Sequence, residues 1–327
     1  MKNLVQSFSK QLTEALQIGE KAALTKCTKP ISNIVITGLG GSGIGGTIAS
    51  QLISEEAAVP VIINKEYFIP AFVNENTLFI VSSYSGNTEE TVEAFEQAIA
   101  KKAKIVCVTS GGKIAEIAGS KSIDLITIPG GMPPRACLGY SLTQLFYILS
   151  FHKIISENFI QQIKAAITLI DKEEEDIKKQ ALGVADFLNN KLPVIYTTTL
   201  NEGIAIRFRQ QLNENSKMLC WHHVFPEMNH NELVGWTENN NTLGIVIFRD
   251  QDDYERNKAR IEISKTVFKK YTGNILEVYS KGKSKIEKAI YLVHLGDWAS
   301  CYIADKKKID ATEVKIIDHL KSELSKV

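Results

Sequence analysis

The stretch Val81-Ser82-Ser83-Tyr84-Ser85-Gly86-Asn87-Thr88-Glu89-Glu90-Thr91 decides how the rest of the chain is read. Leading into it, Thr77 to Val81 (Thr-Leu-Phe-Ile-Val) has the apolar character of a buried strand, and a helical pattern begins at about Asn87. A strand that yields to small hydroxyl residues around one glycine, and then to a helix, leaves the first N–H groups of that helix unpaired beside the positive end of its dipole. An anion is favoured there. Ser82, Ser83, Ser85 and Thr88 add hydroxyl donors without adding charge. Ser, Thr and Asn are also ordinary helix caps, but four hydroxyls in so short a loop point to phosphate.

The same junction occurs earlier. Ile34 to Thr37 is a β-branched run followed by Gly38-Leu39-Gly40-Gly41-Ser42-Gly43 and a helical pattern through Leu52. Short apolar strands continue at 59–63, 78–81, 105–109 and 123–128, with helical patterns at 87–101 and 137–151. Such alternation predicts a doubly wound, mostly parallel sheet. Ahead of it, Leu4, Phe8, Leu12, Leu16, Ala22 and Leu24 predict an N-terminal helix. The polar segment 157–190, with Asp171-Lys-Glu-Glu-Glu-Asp-Ile-Lys-Lys, reads as a helical linker with a solvated face. Beyond it the alternation restarts, with strands at 193–198, 218–222, 243–248 and 275–279 and helices at 202–216, 254–270 and 284–304. Val314, Ile317, Leu320 and Leu324 mark a closing amphipathic helix over 313–325. The expected organisation is an α/β protein with an N-terminal domain over 1–155, a linker over 156–190 and a C-terminal α/β domain over 191–327.

Composition narrows the function classes. The chain has 327 residues, 44% of them hydrophobic, enough for two buried cores. Its 38 basic and 37 acidic residues leave a net charge of +1, so no overall field draws in nucleic acid or an anionic membrane. Any preference for phosphate is local. Five scattered cysteines (Cys27, Cys107, Cys137, Cys220, Cys301), none in a CxxC pair, argue against a disulfide framework or a structural zinc site and for a reducing compartment. With no signal peptide or membrane span in view, a cytoplasmic protein is expected.

Four stretches carry chemistry. Gly38 to Gly43 matches GxGxxG, the dinucleotide fingerprint, which also requires an acidic residue at the end of the next strand. Asn64-Lys65 stands at that place, with Glu66 slightly late. The glycines equally suit close backbone approach to a sugar phosphate, with Ser42 as a polar contact, or a tight strand-to-helix turn. In Gly130-Gly131-Met132-Pro133-Pro134-Arg135, two prolines stiffen the approach to an arginine that either stabilises an anionic oxygen or bonds loop carbonyls. Asn213-Glu214-Asn215-Ser216-Lys217 ends a predicted helix, and Glu227-Met228-Asn229-His230-Asn231 lies in a loop. Glu214 is either a solvated helix residue or a base moving a proton beside a carbonyl, and His230 suits a ring-oxygen proton; general acid-base catalysis is worth roughly 10² to 10⁴ in rate. His222, His223, Glu227 and His230 invite a metal reading, but no HExxH or CxxC spacing appears and adjacent histidines on a strand point to opposite faces.

With these residues in view the chain resembles the sugar isomerase (SIS) domain proteins, and more narrowly the bifunctional phosphoglucose/phosphomannose isomerases. The likeness rests on Gly40-Gly41-Ser42-Gly43, Ser83-Tyr84-Ser85-Gly86-Asn87-Thr88, Pro134-Arg135, Asn213 to Lys217 and Glu227 to Asn231, in the family's order and over nearly the whole chain. It implies two SIS subdomains, a homodimer with sites shared between subunits, and neither metal nor cofactor. It further implies that Gly41, Ser42, Ser83, Ser85 and Thr88 bind a sugar 6-phosphate, that Glu214 shuttles a proton between C1 and C2, and that Arg135 stabilises a cis-enediol. His230 would assist ring opening from the partner subunit, and Thr312 and Lys321 would complete the site, with Lys315 as the other candidate lysine. Ser216 departs from the alanine usual in the family. Two rivals remain: a SIS sugar-phosphate sensor without catalysis, which would not need Glu214 or His230, and a ketohexose-phosphate aminotransferase, which needs an ammonia-producing cysteine domain that Met1-Lys2-Asn3 does not offer.

Overall fold

The computed structural model describes residues 1–326. They form two compact units, one of Gln6–Lys172 and Lys281–Tyr291, the other of Met1–Val5, Glu173–Ser280 and the chain from Leu292 onward. Each unit borrows a segment from the far side of the sequence, so neither coincides with the contiguous blocks 1–155 and 191–327 that the alternation suggests.

The first half of the chain contains α1 (Lys2–Gln6), α2 (Phe8–Glu20), β1 (Asn33–Thr37), α3 (Gly40–Leu52), β2 (Val61–Asn64), β3 (Thr77–Ser82), α4 (Glu89–Ala100), β4 (Lys104–Thr109), α5 (Gly112–Ser120), β5 (Asp124–Thr127) and α6 (Leu138–Phe151). The five strands are parallel in the order β2-β1-β3-β4-β5, with Ile36 opposite Ile80 and Val81 opposite Cys107. Both faces of the sheet are covered, and all six residues of β3 are accordingly buried. On one face Val35, Phe79, Val81 and Cys107 meet Val92, Phe95 and Ala98 of α4 and Ile114 and Ala118 of α5. Phe8, Leu12, Ala15 and Leu16 bury one stripe of α2, which packs on α6. Gln11 fixes that packing, donating to the Ala136 carbonyl at 2.8 Å and accepting from Gly139 N–H at 2.8 Å.

The second half contains α7 (Asn158–Leu188), β6 (Leu192–Thr198), α8 (Glu202–Glu214), β7 (Trp221–Phe225), β8 (Leu243–Arg249), α9 (Glu255–Phe268), β9 (Ile275–Tyr279), α10 (Lys285–Lys306) and α11 (Lys315–Leu324). Its four parallel strands run in the order β7-β6-β8-β9. Val194, Tyr196, Ile245 and Ile247 pack with Phe225, Met228, Ile261 and Phe268, and the Tyr196 and Phe268 rings stack at 5.3 Å. No helix among the described residues is long and apolar enough to cross a membrane.

Several expectations change. The segment 157–190 is helical, as expected, but it carries a buried apolar stripe beside its charged face. It is one continuous helix, α7, that buries Phe159, Ile163, Ala166 and Ile170 before the unit boundary and Ile177, Ala181, Val184 and Leu188 after it. The charge run at 171–179 dominates the composition while the apolar stripe keeps its helical spacing underneath. Strand β7 begins at Trp221 rather than 218, because Met218 N–H returns to the Leu212 carbonyl and keeps the chain at the helix end. Helix α5 was not predicted. Helix α11 forms as expected, but no residue of it is buried, and Ile316 is 87% exposed.

Candidate functional site

In the first sheet the chain leaves β1 toward β2 on one side and returns to β3 on the other, so the helices that follow β1 and β3 diverge and open a crevice at the carboxyl ends of those strands. Gly38 to Ser42 follows β1 there, and Ser83 to Thr88 follows β3. The glycines hold the two loops together at backbone distance. A Cβ on Gly38 would stand 2.4 Å from the Ser82 carbonyl oxygen, and one on Gly43 would stand 2.2 Å from that of Gly38. Close packing therefore accounts for the GxGxxG pattern. Where a dinucleotide site would want a carboxylate, Asn64 closes β2 and donates to Thr37 Oγ1 at 3.3 Å and to the Glu66 carbonyl at 2.9 Å.

Of the hydroxyls, Ser83 Oγ and Thr88 Oγ1 share a hydrogen bond of 3.0 Å, and Thr88 is the N-cap residue of α4. Ser42 Oγ accepts the Tyr84 N–H at 2.9 Å, which leaves its own hydrogen to donate. Ser85 is exposed and its Oγ accepts the Asn87 N–H at 3.3 Å. Ser82 differs from the expectation: it ends β3 and is 1% exposed, so its hydroxyl lies in the sheet and not in the loop.

Arg135 sits in a short 3-10 turn, Pro134–Ala136, and is buried. A Cβ on Gly41 would lie 3.1 Å from Arg135 N, so the arginine turn is seated on the glycine loop. Tyr84 joins the third loop to these two. Its N–H goes to Ser42, its carbonyl accepts from Ser110 N at 2.9 Å and Ser110 Oγ at 2.7 Å, and its hydroxyl accepts the Met132 N–H at 3.1 Å. Burial, and hydrogen bonding to the Cys137 thiol, push the phenol pKa up. Sequence reasoning passed over Tyr84; its place between two loop serines was the available signal.

In the second unit, α8 is held by a buried pair, with Arg207 NH2 donating to Asp297 Oδ2 at 2.6 Å and Gln211 Nε2 to Asp297 Oδ1 at 2.8 Å. Its final residue, Glu214, is partly exposed. The rest of the motif anchors that helix end: Asn213 Nδ2 donates to the Met218 carbonyl at 2.7 Å, Asn215 Nδ2 to Ser300 Oγ at 2.9 Å and Ser216 Oγ to the Ser300 carbonyl at 2.8 Å. The hydroxyl that distinguishes Ser216 from alanine is thus bonded inside the core. Lys217, which sequence reasoning left without a role, donates to the carbonyls of Glu214, Asp310 and Glu313 and so brings the turn containing Thr312 to the Glu214 end of α8. Thr312 is exposed, as are Lys315 and Lys321 on α11.

His230 is exposed in the 3-10 turn Glu227–His230 and makes no hydrogen bond or ion pair among the described residues, Glu214 included. Its loop is nonetheless well tethered. Met228 is fully buried, Asn229 Nδ2 donates to Ser264 Oγ at 2.8 Å, and Glu232 Oε1 accepts from Trp221 Nε1 at 3.2 Å and from the buried Tyr196 hydroxyl. His222 and His223 take separate partners. His222 Nδ1 lies 3.1 Å from Arg209 NH1, and His223 Nε2 lies 3.1 Å from Asn231 Oδ1. Among the described residues, no group of three or more His, Cys, Asp or Glu is placed to hold a metal ion.

The second sheet has an equivalent switch point, at the ends of β6 and β8, but it is furnished differently. Thr198 Oγ1 donates to Asp253 Oδ1 at 3.1 Å, and Asp253 Oδ2 accepts the Asp250 N–H at 3.0 Å. Burial raises the Asp253 pKa. Acidic groups at this crevice disfavour an anion, so the fold is repeated without its phosphate-type loop.

Comparison with known proteins bears on both halves. Residues 29–131 match the SIS domain family and residues 177–324 the family described as bacterial phospho-glucose isomerase C-terminal SIS domain. A bifunctional phosphoglucose/phosphomannose isomerase of Caldicellulosiruptor bescii is 39% identical, covering 99% of this chain and 98% of its own. A protein of the same description from Aquifex aeolicus is 34% identical over 93% of each chain. Among solved structures, the C-terminal domain of glucosamine-fructose-6-phosphate aminotransferase from Francisella tularensis superposes with a TM-score of 0.74 over 95% of this chain and 97% of its own, at 14% identity, a likeness of fold.

Proposed function

The chain belongs to the bifunctional phosphoglucose/phosphomannose isomerases, and on that premise we propose that it converts glucose 6-phosphate and mannose 6-phosphate reversibly to fructose 6-phosphate. The observation that carries the reading is the gathering of the glycine, hydroxyl and arginine loops at the ends of β1 and β3 by Tyr84 and Gly41. In this reading Gly41, Ser42, Ser83, Ser85 and Thr88 anchor the 6-phosphate with the N-termini of α3 and α4. His230, supplied by a second copy of the chain, protonates the ring oxygen as the C1–O5 bond breaks and the C1 hydroxyl releases its proton to become the aldehyde. The Glu214 carboxylate then removes the C2 proton of the open aldose and returns it to C1 as a proton passes from O2 to O1, while the negative charge of the intervening cis-enediolate is held against Arg135. Lys321 and Thr312 complete the site. Thr312 is small enough to leave room for the enediol to turn, which access to both C2 epimers requires. The exposure of His230 and its lack of side-chain partners among the described residues support a shared site in a homodimer, and the five free cysteines support a cytoplasmic setting.

Glu214→Gln tests the assignment. It should abolish both isomerisation and exchange of the C2 proton with solvent, measured by NMR in deuterated water. Normal exchange in that variant would remove Glu214 as the base. A sugar-phosphate sensor, by contrast, would bind both hexose phosphates and turn over neither.

A further inference from the structure

Lys217 takes no part in the chemistry above, yet its ammonium reaches three backbone carbonyls: Glu214 at 2.6 Å, Glu313 at 2.7 Å and Asp310 at 3.2 Å. The first belongs to the last turn of α8, where carbonyls lack helical partners and positive charge is favoured. The other two lie 96 and 93 residues away and flank Thr312. The Lys217 backbone is in the left-handed region, with φ of 51°, which turns the chain away from the helix axis. Lys307 grips the same corner, donating to the carbonyls of Ser216 at 2.8 Å and Lys217 at 3.1 Å. Within the clamped turn, Thr312 N–H donates to Asp310 Oδ1 at 2.7 Å.

We propose that Lys217 is a positioning residue that clamps the Asp310–Glu313 turn to the base-bearing end of α8 and thereby sets how turnover divides between the C2-epimeric glucose and mannose phosphates. The proposal rests on the isomerase reading. The two epimers present their C2 hydrogens on opposite faces, so a single base serves both only if the C1–C2 segment turns beside it. On the isomerase reading the wall of that space is the turn containing Thr312, and one ammonium ties it, through Asp310 and Glu313, to the Glu214 carbonyl of α8. A lysine that merely capped α8 would, when lost, lower the fraction of folded enzyme and reduce both activities alike. Loss of a clamp changes the space and acts on the epimers unequally.

The experiment measures kcat and KM for both 6-phosphates with the full chain and with Lys217→Met, Lys217→Arg, Thr312→Ala and the Lys217→Met/Thr312→Ala pair, together with limited proteolysis. Lys217→Met should shift the ratio of the two kcat values by about threefold or more, Lys217→Arg should restore it to within about twofold, and the double variant should shift it no further than the larger single change, as coupled residues do. Cleavage within 310–314 should accelerate in Lys217→Met. An equal fall in both activities, or ratio shifts that multiply in the double variant, would overturn the proposal. If the unaltered chain turned over neither sugar phosphate the isomerase reading would fail by itself. The cleavage rate would then still decide the clamp, an unchanged rate refuting it.

Discussion

Replacing Tyr84 with phenylalanine removes one oxygen from the junction of three loops. The ring remains, and so do the backbone bonds to Ser42 and Ser110, since they do not involve the side chain. What disappears is the acceptor for Met132 N–H, three residues before Arg135, together with the weak hydrogen bond between the hydroxyl and the Cys137 thiol. An N–H left without a partner costs about 1–3 kcal/mol when buried, and Met132 is partly exposed, so water takes up some of the loss and the lower end, about 1 kcal/mol, applies. If that penalty appears where Arg135 must be held against a developing charge, kcat/KM for isomerisation falls roughly fivefold. The melting temperature falls by only about 2–4 °C, as a loss of that size gives in a unit of this length. A coupled assay of isomerase activity and a thermal melt read both quantities. A full melting shift with unchanged kcat would refute the reasoning, because the tie would then serve the fold alone. A fall beyond about a hundredfold would refute it too, since a positioning bond of this strength cannot produce it.

Ser85→Ala with Thr88→Ala should raise KM at least about a hundredfold, the equivalent of two hydrogen bonds to a charged group, and leave kcat within about twofold in steady-state assays; an unchanged KM would remove the hydroxyl loop as the anchor. Glu232→Ala strips the acceptor from Trp221 and the buried Tyr196 hydroxyl, so about 2–4 kcal/mol of loop stability goes and kcat drops at least tenfold, whereas Glu232→Gln, which keeps an acceptor oxygen, stays near the unaltered rate. His152 sits with Nδ1 3.6 Å from Cys27 Sγ, and burial, with a smaller contribution from Lys104, lowers its pKa to about 4. The folded chain therefore favours neutral His152, and this contribution is complete above about pH 6.5 and is lost as pH falls toward 4; discounted for partial exposure it amounts to about 1–2 kcal/mol. Denaturant melts across that range should show the loss, and His152→Gln should flatten it.

The features most readable in the residues are those set by local chemistry. Apolar runs such as Thr77 to Val81 become buried parallel strands, and a hydroxyl-rich break after such a run marks a strand end whichever partners the strand acquires. Helix α5 was not legible because Gly-Lys-Ile-Ala-Glu-Ile-Ala-Gly-Ser is short, and the Gly111-Gly112 pair at its start, both residues at positive φ, reads in sequence as loop. The stripe on α7 was hidden by the charges on its other face. In the site, residue types revealed candidates such as Glu214 and Arg135, whereas Tyr84, Lys217 and Glu232 act through partners far along the chain. A lysine that bonds three carbonyls looks in sequence like any other surface lysine.

The exchange of segments between the two units bears on how the protein is made. The unit that begins at Gln6 also includes Lys281–Tyr291, so during synthesis most of its residues leave the ribosome long before its last strip of surface exists. Until that strip arrives, the nascent unit is incomplete, and the surface that the strip covers stays open to water. A gene cut at the apparent linker would thus yield an N-terminal fragment that is permanently in this unfinished state, and expression of the two halves from separate messages would depend on one supplying the other's missing piece.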